Sequence, residues 1–434
     1  MKSQSSMRWY GITTLFVVVA ISYIDRINIA ILFNNADFLE HIGLTLDDKG
    51  RQGFLATAFM LGYGISAFIF TPFCAALFGV RNSLLGGLLI WGGVTAISPS
   101  FDSYGSLLAS RVLLGVSEGP LFSLASAYIK AHFEDRENGK PNAFVNMGTG
   151  LGLAVGFPLI SLMLVHFQWQ TSFYLLGLMN VALGIPLVFA FIHMPKTIGN
   201  QARPESVGAA LGQIQGIIKG ALQTRHLMLI TVLTSAALAY LWGASNWLPA
   251  YLEQARGFSR AEMGWLASLP QYATVLAVLL GGILLDRIDR PQVPLVFMAA
   301  SVGVALSVLL AINVEDGYSA TYCLIAASFC WGLLSPAIPS TVQYFSRPEH
   351  VASAFGVVNG TGSLVAGFMP ALMGIVIGSV SANTDGSGGA AAGFFAGFAL
   401  LIGTQAIVFA CGGILWWRER KRSLPPGVVL GASG

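Results

Sequence analysis

Four side chains stand apart in this 434-residue chain because they carry charge inside otherwise apolar runs: Asp25 and Arg26 in one run, Arg111 and Glu118 in another. Two carboxylates and two guanidiniums are the parts of a proton-linked anion site. A carboxylate facing an arginine holds a proton weakly and one left in an apolar cavity holds it tightly, so alternation between the two settings makes a proton carrier. A guanidinium offers a planar fork that meets a carboxylate through two parallel hydrogen bonds. Arg111 and Glu118 lie on nearly one face of a helix but about 10.5 Å apart along it, too far for easy mutual contact. Asp25 and Arg26, being neighbours, point about 100° apart. The simplest satisfaction is therefore across helices, Asp25 with Arg111 and Arg26 with Glu118. Each such charge costs roughly 2.5–3.5 kcal/mol to insert in a membrane. Buried ion pairs stabilise poorly compared with apolar packing, so four charges for architecture alone would be wasteful. The expected roles are Glu118 as main proton-coupling carboxylate and Asp25 as the second. A proton on Glu118 would release Arg26 for a substrate carboxylate.

The elements that hold these residues follow from composition. Hydrophobic residues make up 55% of the chain and charged residues 10%, against roughly 45–50% and 25% in soluble domains, and the mean hydropathy is +0.69. A chain so short of charge cannot cover a water-facing surface, which excludes a soluble enzyme, a nucleic-acid binder, a disordered protein and a disulfide-stapled secreted domain. An all-α membrane protein remains. A helix needs about 20 apolar residues to span the bilayer, and twelve such runs can be read: 9–36, 52–78, 83–100, 105–129, 142–165, 171–194, 226–251, 262–285, 292–312, 319–344, 351–379 and 391–417. Residues 195–225 form the longest central interruption and read as a cytoplasmic linker, with a helix-compatible stretch at 206–222. This divides the chain into a six-helix bundle over 1–194 and a second, with a basic tail, over 226–434. The run from Trp9 contains Asp25-Arg26 rather than a small-residue cleavage site, so it reads as a retained first span and not a signal peptide.

With a cytoplasmic N-terminus, 17 basic residues fall in inside segments and 4 outside. That split predicts both termini in the cytoplasm and a plasma membrane, bacterial by its short loops. Internal repeats support two halves. Gly53-Phe54-Leu55-Ala56-Thr57 recurs as Gly264-Trp265-Leu266-Ala267-Ser268 at an offset of 211, and Ala143-Phe144 and Gly156-Phe157 recur as Ala354-Phe355 and Gly367-Phe368 at the same offset. Twelve spans in two six-helix pseudo-repeats place a substrate site between the halves near mid-membrane. All four membrane-embedded charges lie in the first half. The same offset puts Ala236, Ala237, Tyr322 and Phe329 opposite them.

These residues carry a recognisable pattern. Twelve spans in two halves, with Gly282-Ile283-Leu284-Leu285-Asp286-Arg287 closing the eighth, resemble the major facilitator superfamily and its Gly-x-x-x-Asp-Arg loop signature. The first-half copy, ending in Phe78-Gly79-Val80-Arg81, has Ala75 and Ala76 where Asp-Arg is expected. The resemblance implies a conformational latch at Gly282, Asp286, Arg287 and Arg81, weakened on the first-half side. Tyr23-Ile24-Asp25-Arg26-Ile27-Asn28, Arg111-Val112-Leu113-Leu114-Gly115-Val116-Ser117-Glu118-Gly119-Pro120 and Asn246-Trp247-Leu248-Pro249 are similar to the anion:cation symporter family. That likeness implies proton-coupled uptake of organic anions such as sugar acids or aromatic carboxylates by alternating access. It also implies proton coupling and substrate binding at Asp25, Arg26, Arg111 and Glu118.

Further binding candidates are Tyr23, Tyr63 (where the family has a binding-site tyrosine) and Asn359, then Asn146, Thr149, Trp242, Asn246 and Gln343. Each can equally be a packing residue, as can Trp331 and Ser335. The four cysteines sit in apolar runs and read as packing residues. No histidine pair has metal-ligand spacing, so neither metal nor cofactor is expected. A net charge of +3 implies no nucleic-acid partner. The expected partners are the bilayer, a small organic anion and a proton, with the chain as a monomer. No phosphate-binding Gly-x-x-x-x-Gly-Lys-Ser/Thr loop occurs, which excludes an ATP-driven pump within this chain. Arginines at the site favour anionic cargo over cationic drugs. An anion exchanger or exporter of the same fold and a non-transporting sensor remain open.

Overall fold

The computed structural model describes residues 2–133, 139–194, 207–285, 287–346, 351–384 and 389–423. Part of the expected linker (195–206), the latch residue Asp286 and the tail beyond 423 lie outside them. Every regular element among the described residues is helical. The first half comprises α1 (Lys2–Leu32), α2 (Ala36–His41), α3 (Lys49–Leu77), α4 (Gly79–Ile97), α5 (Tyr104–Glu118), α6 (Leu121–His132), α7 (Gly139–His166), α8 (Gln170–Leu178) and α9 (Ile185–Phe191). After α10 (Val207–Leu222), the second half comprises α11 (Leu227–Ala250), α12 (Arg260–Leu285), α13 (Val293–Asn313), α14 (Gly317–Leu334), α15 (Ala337–Phe345), α16 (Val351–Ala366), α17 (Met369–Ala382) and α18 (Gly389–Ser423). Eleven helical stretches among the described residues are long and apolar enough to cross a membrane. The 29-residue α3, equally rich in Phe, Leu, Ala and Gly, lies among them as the twelfth.

Several expected single runs are broken helices. Gly119-Pro120 separates α5 from α6, and Ser335-Pro336 separates α14 from α15. Proline lacks the amide proton that would continue the ladder and its ring crowds the preceding turn. The first break leaves Glu118 as the last residue of α5. Aligning Pro120 with Pro336 shifts the repeat offset there to 216, so the second-half counterparts of Arg111 and Glu118 are Ala327 and Leu334 rather than Tyr322 and Phe329. Both are apolar and buried, so the charges remain confined to one half.

Glycine contacts display the two-fold relation between halves. A Cβ on Gly53 of α3 would collide with the Pro370 carbonyl of α17, and one on Gly264 of α12 would lie 2.5 Å from Ser161 Cβ of α7. Deeper along the same helices, Gly64 meets Leu364 and Gly150 meets Val275. These two contacts between α3 and the α16–α17 pair are thus mirrored between α12 and α7. The side-chain hydrogen bonds between halves among the described residues lie at one end: Lys49 Nζ donates to Gln254 Oε1 (2.6 Å), Gln254 Nε2 to Asn34 Oδ1 (2.6 Å), Arg260 to the Asn34 carbonyl (3.3 Å) and Ser161 Oγ to Met263 Sδ (3.9 Å). The molecule is therefore closed on the face away from the start of α1 and the end of α18. Overpacking a tight contact costs about 1–3 kcal/mol, so Gly53→Val should disfavour this closed state about 10- to 100-fold. Thiol labelling of an Asn34→Cys reporter should accelerate in the valine variant, and an unchanged rate would refute the assignment of this face as the closed one.

At the opposite face, Glu419 of α18 is buried and pairs with Arg225, with His226 Nε2 3.7 Å from the same carboxylate and Tyr344 donating to its other oxygen at 3.4 Å. His226 is the only non-glycine residue with positive φ among the described residues (φ 59°), a conformation that asparagine also adopts. Burial, followed by the Arg225 and Arg418 charges, pushes the His226 imidazole below its ordinary protonation range. A base depressed in the folded state costs stability as pH falls below its unfolded value, near 6.5. His226→Asn should flatten the loss of melting temperature between about pH 7 and 5. An identical acid-side slope would contradict that source.

Candidate functional site

Helix α1 runs unbroken through Asp25 and Arg26, and α5 stops at Glu118, so one continuous helix and one helix end bring Arg26 and Glu118 together. Arg26 Nε donates to Glu118 Oε2 at 3.1 Å, and a second guanidinium nitrogen lies 3.1 Å from the same oxygen. Glu118 is fully buried, and its other oxygen, Oε1, has no hydrogen-bond partner. The Arg26 guanidinium is caged by aromatic rings, with Tyr23 at 4.3 Å, Tyr63 at 4.6 Å, Phe59 at 5.0 Å and Trp242 at 6.0 Å from its central carbon. Desolvated cation–ring contacts contribute about 2 kcal/mol or more, so the cage holds the arginine in place even when its carboxylate partner changes. Trp242 comes from α11 and stacks on Tyr23 at 6.3 Å. The second half thereby closes one side of a site whose charges all belong to the first.

Arg111 has the opposite character. It is 4% exposed, makes no hydrogen bond or ion pair among the described residues, and its Nε is enclosed without a partner. Its guanidinium rests on the Phe59 ring at 5.2 Å. A buried cation with no carboxylate in contact is costly. It is tolerated where a ligand supplies the missing charge. Arg111 and Arg26 both border a small cavity whose remaining wall is Ile27, Ala56, Phe59, Met60, Leu153, Trp242, Ser245 and Asn246. Two guanidiniums in an apolar shell with one hydroxyl and one amide opposite suit a small carboxylate bearing hydroxyls or an apolar body. Ser245 also lines an adjoining cavity in the second half beside Tyr240, Gln271 and Trp331.

The expected pairing of Asp25 with Arg111 does not form. Asp25 does not line the cavity, and its Oδ2 accepts a hydrogen bond of 2.6 Å from Asn180 Nδ2. The 100° between neighbours on a helix separates the two charges: Arg26 reaches Glu118 of α5 and the cavity, whereas Asp25 reaches Asn180 in the Met179–Gly184 segment, where the helix widens into π geometry. A glycine contact permits this approach, since a Cβ on Gly92 would lie 3.0 Å from Asn180 Cβ.

Of the other expected residues, Tyr23, Tyr63, Trp242 and Asn246 join Arg26 and Arg111 at this place. Asn246 donates its amide to the Trp242 carbonyl (2.8 Å), fixing its orientation. Asn359 and Gln343 are exposed and do not border the cavity. Asn146 and Thr149 bond back to their own helix, at Asn142 and Asn146 carbonyls. Trp331 ties α14 to α11 by donating to the Ala237 carbonyl (2.8 Å), and Ser335 sits at the helix break. Within the expected latch, Arg81 donates to the Phe189 carbonyl at 2.7 Å and lies over that ring, inside its own half. Gly282 has open space around it, and Arg287 lies in the turn after α12. Sequence reasoning missed Asn180, Trp91, Phe59 and Ser245, which carry no charge. It also counted Lys49 with loop residues, although Lys49 is a buried member of the closed end.

The model of the Major Facilitator Superfamily matches residues 15–370. A probable sulfoacetate transporter of Cupriavidus necator is 28% identical over 393 residues, covering 87% of this chain and 89% of the relative. A probable galactarate/D-glucarate transporter of Bacillus subtilis is 25% identical, covering 93% and 90%, and the D-galactonate transporter of Escherichia coli is 23% identical, covering 94% and 96%. Among solved structures, a bacterial homologue of the human lysosomal transporter Spinster in an inward-facing, unoccupied conformation superposes with a TM-score of 0.74 at 14% identity, over 97% of this chain and 99% of that one. The D-xylose–proton symporter does so with a TM-score of 0.72 at 14% identity, over 93% and 97%. These establish the fold.

Proposed function

The chain belongs to the Major Facilitator Superfamily, and on that premise we propose that this multi-pass membrane transporter takes up a small organic anion, a sugar acid or aromatic carboxylate, together with protons. The observation that carries this reading is Arg111, a buried guanidinium with no ion pair in contact among the described residues, bordering the same cavity as Arg26, which Glu118 pairs. The substrate carboxylate neutralises Arg111 and competes with Glu118 for Arg26. A proton on Glu118 removes the competitor, so proton entry and anion binding favour each other. One anion and one proton together leave the net charge of the site unchanged, the substrate carboxylate taking the place of Glu118 beside Arg26 and lying next to Arg111, and the contacts at Lys49, Gln254 and Asn34 can exchange for contacts at the other face. The relatives named for sulfoacetate, galactarate and galactonate are transporters of acids, which supports an anionic cargo and membrane transport rather than enzymatic chemistry.

The remaining parts of the reading are a division into bundles over 1–194 and 226–434 joined by 195–225, cytoplasmic termini, and a monomer in a bacterial inner membrane. The function is tested by reconstituting the protein and screening sugar acids and aromatic carboxylates for uptake into liposomes. Accumulation of at least one acid is expected under an acid-outside gradient and should collapse with a protonophore. Equal counterflow with and without the gradient would instead identify an anion exchanger.

A further inference from the structure

Behind the cavity, Trp91, Asn180 and Asp25 form a buried chain linking α4, the π-helical segment and α1. Their exposures are 1%, 0% and 3%. Trp91 Nε1 donates to Asn180 Oδ1 at 2.6 Å, and Asn180 Nδ2 donates to Asp25 Oδ2 at 2.6 Å and to the Leu176 carbonyl at 3.0 Å. An indole nitrogen is a donor only, and a carbonyl an acceptor only. Each therefore fixes the Asn180 amide in the same sense, with its NH2 turned to Asp25. In that sense Asn180 can only donate, so Asp25 Oδ2 can only accept. The other oxygen, Oδ1, is buried with no partner. The charged groups facing Asp25 are Arg26 on its own helix and Arg111 and Glu118 on α5, none within ion-pairing distance of it among the described residues.

We propose that Asn180, oriented by Trp91, is a positioning residue for proton coupling: it holds Oδ2 of Asp25 as an acceptor in both states and confines the transported proton to Oδ1. This rests on the reading of Asp25 as the second proton site. Protonation then leaves the Trp91–Asn180–Asp25 chain intact, and only the face of Asp25 opposite Asn180 changes. The carboxyl gains a proton without losing its tether to α4 and the π segment, which keeps α1 in register during the cycle. π-helical turns occur often at functional sites, and here the extra backbone room carries the asparagine that faces a membrane-embedded acid.

The test uses the full-length protein. In detergent, infrared difference spectra between acid and alkaline pH should show the carbonyl stretch of protonated Asp25, assigned by its loss in Asp25→Asn. In Asn180→Leu and in Trp91→Phe that band should move to higher frequency, because the Oδ2 carbonyl loses or loosens its hydrogen bond. In liposomes, the pH profile of uptake in Asn180→Leu should move alkaline by about one unit, as expected when one hydrogen bond to a charged group is removed. Trp91→Phe should move it less, and the double variant no further than Asn180→Leu alone. A band at unchanged frequency, or an unshifted profile, in variants that remain folded overturns the positioning role while leaving Asp25 as a proton site. A wild-type pH profile in Asp25→Asn overturns the reading of Asp25 itself, and the positioning role with it. If Asn180→Leu fails to fold, Trp91→Phe carries the spectroscopic test, since phenylalanine removes one donor while filling most of the indole space.

Discussion

Replacing Arg111 with glutamine should weaken substrate binding on the order of 100-fold or more while leaving the empty protein as stable as before, or more so. The first half of that expectation follows from the strength of charge-assisted hydrogen bonds, about 1.5–3 kcal/mol each, two of which a planar guanidinium can offer a carboxylate. The second half follows from burial without a partner: Arg111 is 4% exposed and has no counter-ion in contact, so removing its charge removes a desolvation penalty. Glutamine keeps a hydrogen-bonding head of moderate size and the packing against Phe59. Arg26→Gln should behave differently. It would leave the fully buried Glu118 unpaired, at a cost of about 3–5 kcal/mol for a broken buried pair, and so reduce both binding and thermal stability. Calorimetry for affinity and thermal unfolding without substrate separate the two arginines. If Arg111→Gln destabilises the empty protein as much as Arg26→Gln does, Arg111 is structural and the site assignment falls.

Glu118→Gln should abolish proton-driven accumulation while sparing substrate exchange. Glutamine has the shape of a protonated glutamate but cannot release a proton, and it withdraws the negative charge now held 3.1 Å from Arg26 Nε. The Arg26 fork is then available at every pH, so binding should lose its pH dependence. The aromatic cage of Tyr23, Tyr63, Phe59 and Trp242 keeps the arginine aimed at the cavity once its carboxylate is neutral. In liposomes, counterflow of labelled substrate should persist and uphill uptake under a pH gradient should vanish. Uphill uptake equal to wild type would move the coupling role to Asp25 or elsewhere.

Much of this was legible in the sequence because charge is rare in a membrane chain, and each embedded charge must be explained. Asp25, Arg26, Arg111 and Glu118 announce themselves by type, and the cross-helix partner of Arg26 followed from the seven-residue separation of Arg111 and Glu118. The repeat offset was visible in small residues such as Gly53 and Gly264, whose role as contact points between halves needs the structure. The partner of Asp25 was not legible. Pairing by charge favoured Arg111, but the polar group that reaches it is Asn180, neutral and unremarkable in the run Leu178-Met179-Asn180-Val181. Its position depends on π-helical geometry and a close crossing at Gly92, neither of which has a sequence signature. Helix breaks at Gly119-Pro120 and Ser335-Pro336 lie inside runs each long enough for one span, and only the prolines mark them. Asn359 illustrates the converse: a polar residue in an apolar run drew notice by type, yet it is exposed and away from the cavity.

Anion binding and protonation of Glu118 are proposed to be one linked event, and adding substrate to the purified protein in weakly buffered solution while following pH reads that linkage. Proton uptake is expected on binding by the wild type, saturating with substrate occupancy, and none by Glu118→Gln at matched occupancy. Substrate binding by the wild type with no proton uptake across the pH range where transport occurs would contradict it.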